Sequence, residues 1–288
     1  MSRPLKRAAL VLGSVLVLLL LAAAAVVAVG GSRIAATHDV AVGDLEVPAD
    51  SAARARGAHL AGVYCADCHG DDFAGKVMGD APPFRLVASN LTPGGETAAY
   101  DAADWDRAVR HGVRPDGTAL FVMPSKAFNK MADDELAALV AYLQSLPPVG
   151  NELARVEWKP LGRALAAGPI DLAATVARGT PPAAAPAPDS SVAYGRYLAD
   201  MLCAYCHGEQ FEGIVPPGGE VPSPDLRASA GWTAEQFHAA LTTGVTPSGH
   251  EMDPAVMPWT MTARMTPTER EAMRLYLRQL DPVRRPDA

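Results

Sequence analysis

The chain has 288 residues, of which 49% are hydrophobic and 20% charged, with a formal net charge of −7. The length suits two domains of ordinary size. The apolar content excludes an intrinsically disordered chain, and the acidic balance argues against nucleic acid as a partner.

Residues 1–7 carry Arg3, Lys6 and Arg7, and residues 8–31 carry no charge. As a helix, 24 residues would be about 36 Å long, against a hydrocarbon core of about 30 Å. The positive residues keep the N-terminus cytoplasmic and send the rest of the chain outward. A cleavable signal peptide has the same polarity but a shorter apolar core, and Val26-Val27-Ala28 loosely resembles a cleavage site. The length favours an uncleaved anchor over a signal. Either way the remainder is expected in a bacterial periplasm, held at the inner membrane where the anchor is retained.

After a polar connector of about fifteen residues, Pro48-Ala49-Asp50-Ser51 reads as a helix start. That helix leads to Cys65-Ala66-Asp67-Cys68-His69, and the pattern returns as Cys203-Ala204-Tyr205-Cys206-His207. C-x-x-C-H is the attachment pattern for covalent heme: each sulfur adds across a porphyrin vinyl, and the adjoining histidine is placed to bind iron. The competing readings are a zinc half-site and a redox-active cysteine pair. Zinc normally wants a second ligand pair at a short regular distance, and a redox pair does not require histidine after it, twice. The two motifs use all four cysteines. The expected cofactors are therefore two covalently bound hemes c, with Cys65, Cys68, Cys203 and Cys206 as attachment points and His69 and His207 as proximal iron ligands.

The repeat extends well beyond the motif. Gly57 and Gly195 lie eight residues before their cysteines, and the offset is 138 at Cys65/Cys203 and Gly75/Gly213. It is 132 at Gly112/Gly244 and 134 at Met123/Met257, Met131/Met265, Tyr142/Tyr276 and Leu146/Leu280. Small shifts of this kind are loop insertions in one domain written twice. Each unit ends in a patterned helix, Ala132 to Leu146 in the first, and in the second one opened by the capping box Thr266-Pro267-Thr268-Glu269. The expected domains are residues 45–150 and 188–283. Between them, 151–187 forms a connector whose first half retains apolar residues and whose second half, ending in Pro186-Ala187-Pro188, is an extended tether.

The two C-x-x-C-H motifs, their preceding glycines, Asn90-Leu91-Thr92-Pro93, Met123-Pro124, Met257-Pro258 and the terminal helices with Tyr142 and Tyr276 resemble class I cytochrome c domains. The whole chain resembles membrane-anchored diheme c-type cytochromes of bacteria. The resemblance implies an all-α fold, two tandem domains each wrapped around a heme, with first and last helices crossing. It also implies that a methionine before the last helix is the distal iron ligand.

Among ten methionines, Met123 and Met257 occupy corresponding positions, each before a proline and eight residues before another methionine. Met131 and Met265 also correspond but open the last helix, where an apolar residue commonly packs as a staple. Met252, Met261 and His250 are the remaining candidates in the second unit. Arg110 and Trp105 are candidates to bond heme propionates, and Tyr142, Tyr276 and Trp259 to line the pockets; for each, core packing or surface exposure explains the residue equally well. With His69 and Met123, and His207 and Met257, as metal ligands, neither iron has an open position and outer-sphere electron transfer remains.

The expected function is an electron carrier between a dehydrogenase or quinol-linked donor and a terminal oxidase, soluble cytochrome or other acceptor. The alternative is a diheme redox enzyme of the peroxidase or thiosulfate-oxidising type, with one labile ligand. No catalytic residue is expected. Acidic residues outnumber basic ones 14 to 9 over 45–150 and 12 to 6 over 188–283, which suits a basic docking face on the partner.

Overall fold

The computed structural model describes residues 3–151, 153, 155–215 and 221–280; the expected end of the second domain at 281–283 lies outside them. The N-terminal helix α1, Arg3–Ile34, carries the uncharged stretch and is exposed along its apolar length. It is long and apolar enough to cross a membrane, and it lies where a signal sequence would.

Both repeats are built on the same helical frame. In the first, Asp50 caps α2 (Ser51–Tyr64) by accepting from the Ala53 amide. The short helix α3 (Ala66–His69) follows at once and holds the attachment motif. Next come α4 (Ala102–His111), the single turn α5 (Ser125–Phe128) and the terminal helix α6 (Asp133–Gln144). The second repeat has α8 (Val192–Leu202), α9 (Ala204–His207), α10 (Ala234–Thr243), α11 (Trp259–Ala263) and α12 (Pro267–Leu277). The capping box expected at Thr266 and Glu269 closes α12 with Pro267 in its first turn. Stop signals match as well, since Gly112 and Gly244 end α4 and α10 in the left-handed conformation.

The first and last helices of each unit cross through glycine. A β-carbon on Gly57 would stand 1.9 Å from the Ala138 carbonyl oxygen, and one on Gly195 would stand 1.9 Å from that of Ala272. No side chain fits such a gap, so Gly195→Ala should force α8 off α12. We expect a loss of about 3 kcal/mol or more from the second unit, read as early melting of its heme absorbance while the first holds.

The first unit departs from an all-helical plan through an insert. Strands β1 (Lys76–Asp80) and β2 (Phe84–Ala88) form an antiparallel hairpin, joined on the β2 edge by β3 (Glu157–Trp158) from the connector. The connector then forms helix α7 (Pro160–Ala166). Its apolar residues Leu172 and Val176 bury themselves against Val113 and Ala119, so this half lies on the first unit. The Pro/Ala run is also laid on protein: Pro182 accepts from the Asp133 amide at 3.0 Å, and the Ala185 amide donates to Asp134 at 3.1 Å.

The two units are packed against each other, and their interface nearly repeats itself. His59 of the first unit bonds Glu269 of the second at 2.8 Å; Tyr197, the counterpart of His59, donates to Glu135, the counterpart of Glu269, at 2.8 Å. Arg56 sits between these halves, donating to Glu135, to Glu269 at 3.3 Å, and to Tyr194 at 2.9 Å. Beside the attachment motifs, Arg264 pairs with Asp71 at 2.8 Å, and Lys130 pairs with Glu209 at 3.9 Å. Lys130 and Asp71 are the counterparts of Arg264 and Glu209, so the two units meet about a local two-fold axis, as a closed dimer does.

Candidate heme sites

In both repeats α2 or α8 runs directly into the attachment turn. The Cys65 amide closes on Ala61 and His69 on Cys65, at 2.9 Å each. The second turn repeats this, with Cys203 on Ala199 and His207 on Cys203, at 2.8 Å each. Each turn stops at a glycine with positive φ, Gly70 at 83° and Gly208 at 86°, where the chain must reverse sharply and a side chain would be strained.

The histidines are oriented by backbone carbonyls. His69 Nδ1 lies 2.7 Å from the Ser89 oxygen, and His207 Nδ1 lies 2.9 Å from the Pro224 oxygen. An oxygen acceptor requires the proton on Nδ1, which leaves the Nε2 lone pair available for a metal. Burial pushes both imidazoles below their ordinary range, with the carbonyl bond partly opposing it, so both rings are neutral at neutral pH. The cysteines behave differently from a redox pair. Burial raises the Cys65 and Cys203 thiols to about 12, whereas redox-active pairs carry a depressed thiol.

In the first unit these residues open on an apolar cavity. Cys65, Cys68 and His69 form one side and Met123 also lines it, with Leu91, Val109, Phe128, Leu139 and Leu143 among the walls. Two buried polar atoms of the lining residues, Trp105 Nε1 and Arg114 Nε, have no hydrogen-bond partner among the described residues. An apolar chamber bordered by two thiols and one imidazole, with unsatisfied N–H donors, fits an amphipathic macrocycle with carboxylate tails. A buried donor left unpaired costs about 1–3 kcal/mol, and heme propionates would satisfy both.

Of the two uses open to Arg110, propionate bonding or core packing, the structure shows the second. It is buried against Asp106, with Nε to Oδ1 at 2.5 Å, and braces the Met131 carbonyl at 3.2 Å. Arg114, four residues later, lines the cavity, and Arg110 does not. Only its side of the αL turn at Gly112 distinguishes the two. Arg114→Gln should therefore lower the first heme's reduction potential and leave the second unchanged, as measured by redox titration of each α-band.

The methionine positions agree between repeats. Pro124 and Pro258 begin α5 and α11 with similar backbone angles, φ −78 ψ 52 and φ −75 ψ 63. In each case the methionine carbonyl accepts from the second residue on, Met123 from Ser125 at 2.8 Å and Met257 from Trp259 at 2.7 Å. Met131 and Met265 are core residues, at 0% and 3% exposure. Met261 lies on the first unit's cavity wall although it belongs to the second repeat. Met252 lends its carbonyl to Trp259 Nε1 at 3.1 Å, and His250 is exposed. Tyr142 and Tyr276 stand edge-on to Phe73 and Phe211, each at 5.8 Å.

A cytochrome c family model matches residues 192–281, and a model described as cytochrome c oxidase, cbb3-type, subunit III matches residues 52–143. The cytochrome c subunit of a quinone alcohol dehydrogenase from Gluconacetobacter polyoxogenes is 30% identical over 215 residues, covering 69% of this chain and 44% of that protein. The fructose dehydrogenase cytochrome subunit of Gluconobacter japonicus is 30% identical over 165 residues, covering 53% and 34%. The gluconate 2-dehydrogenase cytochrome c subunit of Pantoea cypripedii is 32% identical over 165 residues, covering 53% and 37%. The chain spans less than half the length of each of these relatives. With a c-type family match on each repeat and an attachment motif at the same place in both, the chain is a diheme c-type cytochrome.

Proposed function

We propose that this chain is the electron-transfer subunit of a periplasmic dehydrogenase system, held at a bacterial inner membrane by α1. It would accept electrons from a dehydrogenase or quinol-linked donor and pass them toward an oxidase or soluble cytochrome. Cys65 and Cys68 would carry one heme and Cys203 and Cys206 the other. His69 with Met123, and His207 with Met257, would close the two irons. The observation that carries the reading is the equivalence of both frames: the same Nδ1-to-carbonyl bond behind each histidine and the same methionine–proline turn before each terminal helix.

The hemes supply one-electron iron chemistry. The protein holds the proton on Nδ1 of each histidine, keeps water from the iron with apolar walls, and presents a thioether that favours the reduced state. Similarity to cytochrome subunits of alcohol, fructose and gluconate dehydrogenases supports a dehydrogenase as donor.

The test is purification from membranes followed by spectroscopy and rapid mixing. The reduced protein should show two low-spin c-type hemes, the oxidised protein methionine-to-iron charge transfer at both, and the co-purifying dehydrogenase should reduce both on adding its substrate. A high-spin heme in the intact protein, or carbon monoxide binding without denaturant, would instead support the diheme-enzyme alternative.

A further inference from the structure

The polar connector between α1 and the first heme unit is part of a rigid mount. The last turn of α1 packs on α7 so closely that a β-carbon on Gly30 would lie 1.6 Å from the Arg163 carbonyl oxygen. Gly30 is the buried residue of that helix. On its other side α7 rests on the β1–β2 hairpin, where a β-carbon on Gly162 would lie 2.0 Å from the Pro83 oxygen. Lys159 ties the same hairpin through Asp80 and the Ala81 carbonyl.

The chain leaving α1 is fastened as well. Thr37 bridges Thr118, the His38 amide donates to Gly117 at 2.8 Å, and the Gly43 amide donates to the buried Asp106 at 2.6 Å. Ile34 and Val40 pack on the apolar cluster of Val113, Ala119, Leu172 and Val176, together with Phe121, which also lines the first heme cavity.

This mount fixes the height of α7. The uncharged stretch ends at Gly31, and α7 meets α1 at Gly30 and Gly31. A membrane whose hydrocarbon is filled by residues 8–31 would therefore place α7 at its boundary with the headgroups. The helix is built for that level. Gly162 and Ala166 face protein, while Leu161 and Leu165, also four residues apart, lie on another face, with Leu161 50% exposed. Arg163 and, on α1, Arg33 are exposed, and residues 159–170 contain no acidic side chain. Apolar residues flanked by arginine suit the interface of an anionic bilayer.

We propose that α7 is an interfacial helix, embedded in the phospholipid headgroup layer beside α1, which holds the first heme unit against the membrane by its hairpin side. The proposal rests on the reading of α1 as a membrane span. The second unit touches the bilayer through neither element and would project from the first.

The attachment cysteines are consumed by heme, so one introduced cysteine gives a single thiol for a nitroxide spin label. Three holoproteins would be compared in phosphatidylglycerol/phosphatidylethanolamine nanodiscs: Val17→Cys within α1, Leu161→Cys on α7, and Val256→Cys, 65% exposed on the second unit. Accessibility to oxygen and to a soluble nickel chelate would be read by power saturation. The label at 161 should lie at intermediate depth, at least several-fold less accessible to nickel than the label at 256. A lipid-buried label at 17 with a label at 161 as nickel-accessible as the one at 256 would overturn the proposal alone. Nickel access at 17 equal to that at 256 would overturn the membrane reading and the proposal with it.

Discussion

Met257→Ala is expected to open the second heme and leave the first closed. Without the thioether, the second iron should become high-spin or take water, bind carbon monoxide, and lose its methionine charge-transfer absorbance. Its potential should fall by on the order of 0.1 V or more, since axial ligands alone move heme potentials over a range of about 0.8 V. Met123→Ala should produce the mirror result at the first heme. The two variants read independently because each methionine–proline turn belongs to its own repeat, before α5 in one and α11 in the other. Met261→Ala is the informative control. Its side chain borders the first cavity from the second unit, so its loss should loosen that wall while both irons stay low-spin. An unchanged spectrum for Met257→Ala would move the ligand to Met252.

Arg56→Ala should separate the two units. Glu135 and Glu269 have side chains 5% and 6% exposed, and Arg56 is the cation they share. Burial works against the Arg56 charge, but the Glu135 carboxylate outweighs it and raises its pKa further. Removing one partner of a buried ionic group costs about 3–5 kcal/mol, because the other charges remain without compensation. We expect loss on this scale from the interface, seen as a larger radius of gyration in solution scattering with both heme spectra preserved.

Acid should act on the same network. Burial by itself would raise the Glu269 carboxyl, but bonds from His59 and the Thr266 amide, with the charges of His59 and Arg56, hold it down to about 2 against an ordinary 4.5. A carboxyl depressed in the folded state contributes stability above its unfolded pKa and loses it as pH falls through the folded one. The interface should therefore weaken between about pH 4.5 and 2, by about 1–3 kcal/mol after solvent screening. A Glu135→Gln/Glu269→Gln variant should lack this acid step; persistence of the step would place its origin outside the pair.

Pattern legibility differed between elements for identifiable reasons. The terminal helix of the second unit was readable to its cap, because Thr266, Pro267 and Glu269 satisfy one another within four residues. The hairpin of the first unit was missed: Lys76–Asp80 is exposed throughout and shows no alternation of buried and exposed residues to mark a strand. Nothing in the residues around His59 marks its partner, a carboxylate 210 positions away. The Pro/Ala run reads as an extended tether, and the charges that hold the surfaces it joins lie far from it in sequence.

By itself the sequence determined that heme is attached twice, that the two attachments begin equivalent units, and which methionines correspond. Those properties are local, since covalent chemistry and helix caps need neighbours only a few residues away. The tertiary structure decided that the units close on each other about Arg56, that Arg114 rather than Arg110 borders the first cavity, that Met261 reaches that cavity from the other repeat, and that α1 is mounted on the first unit through Gly30. Each depends on groups brought together across long stretches of chain, by close backbone approach and shared buried charge, and such pairings leave no periodic mark in the residues that make them.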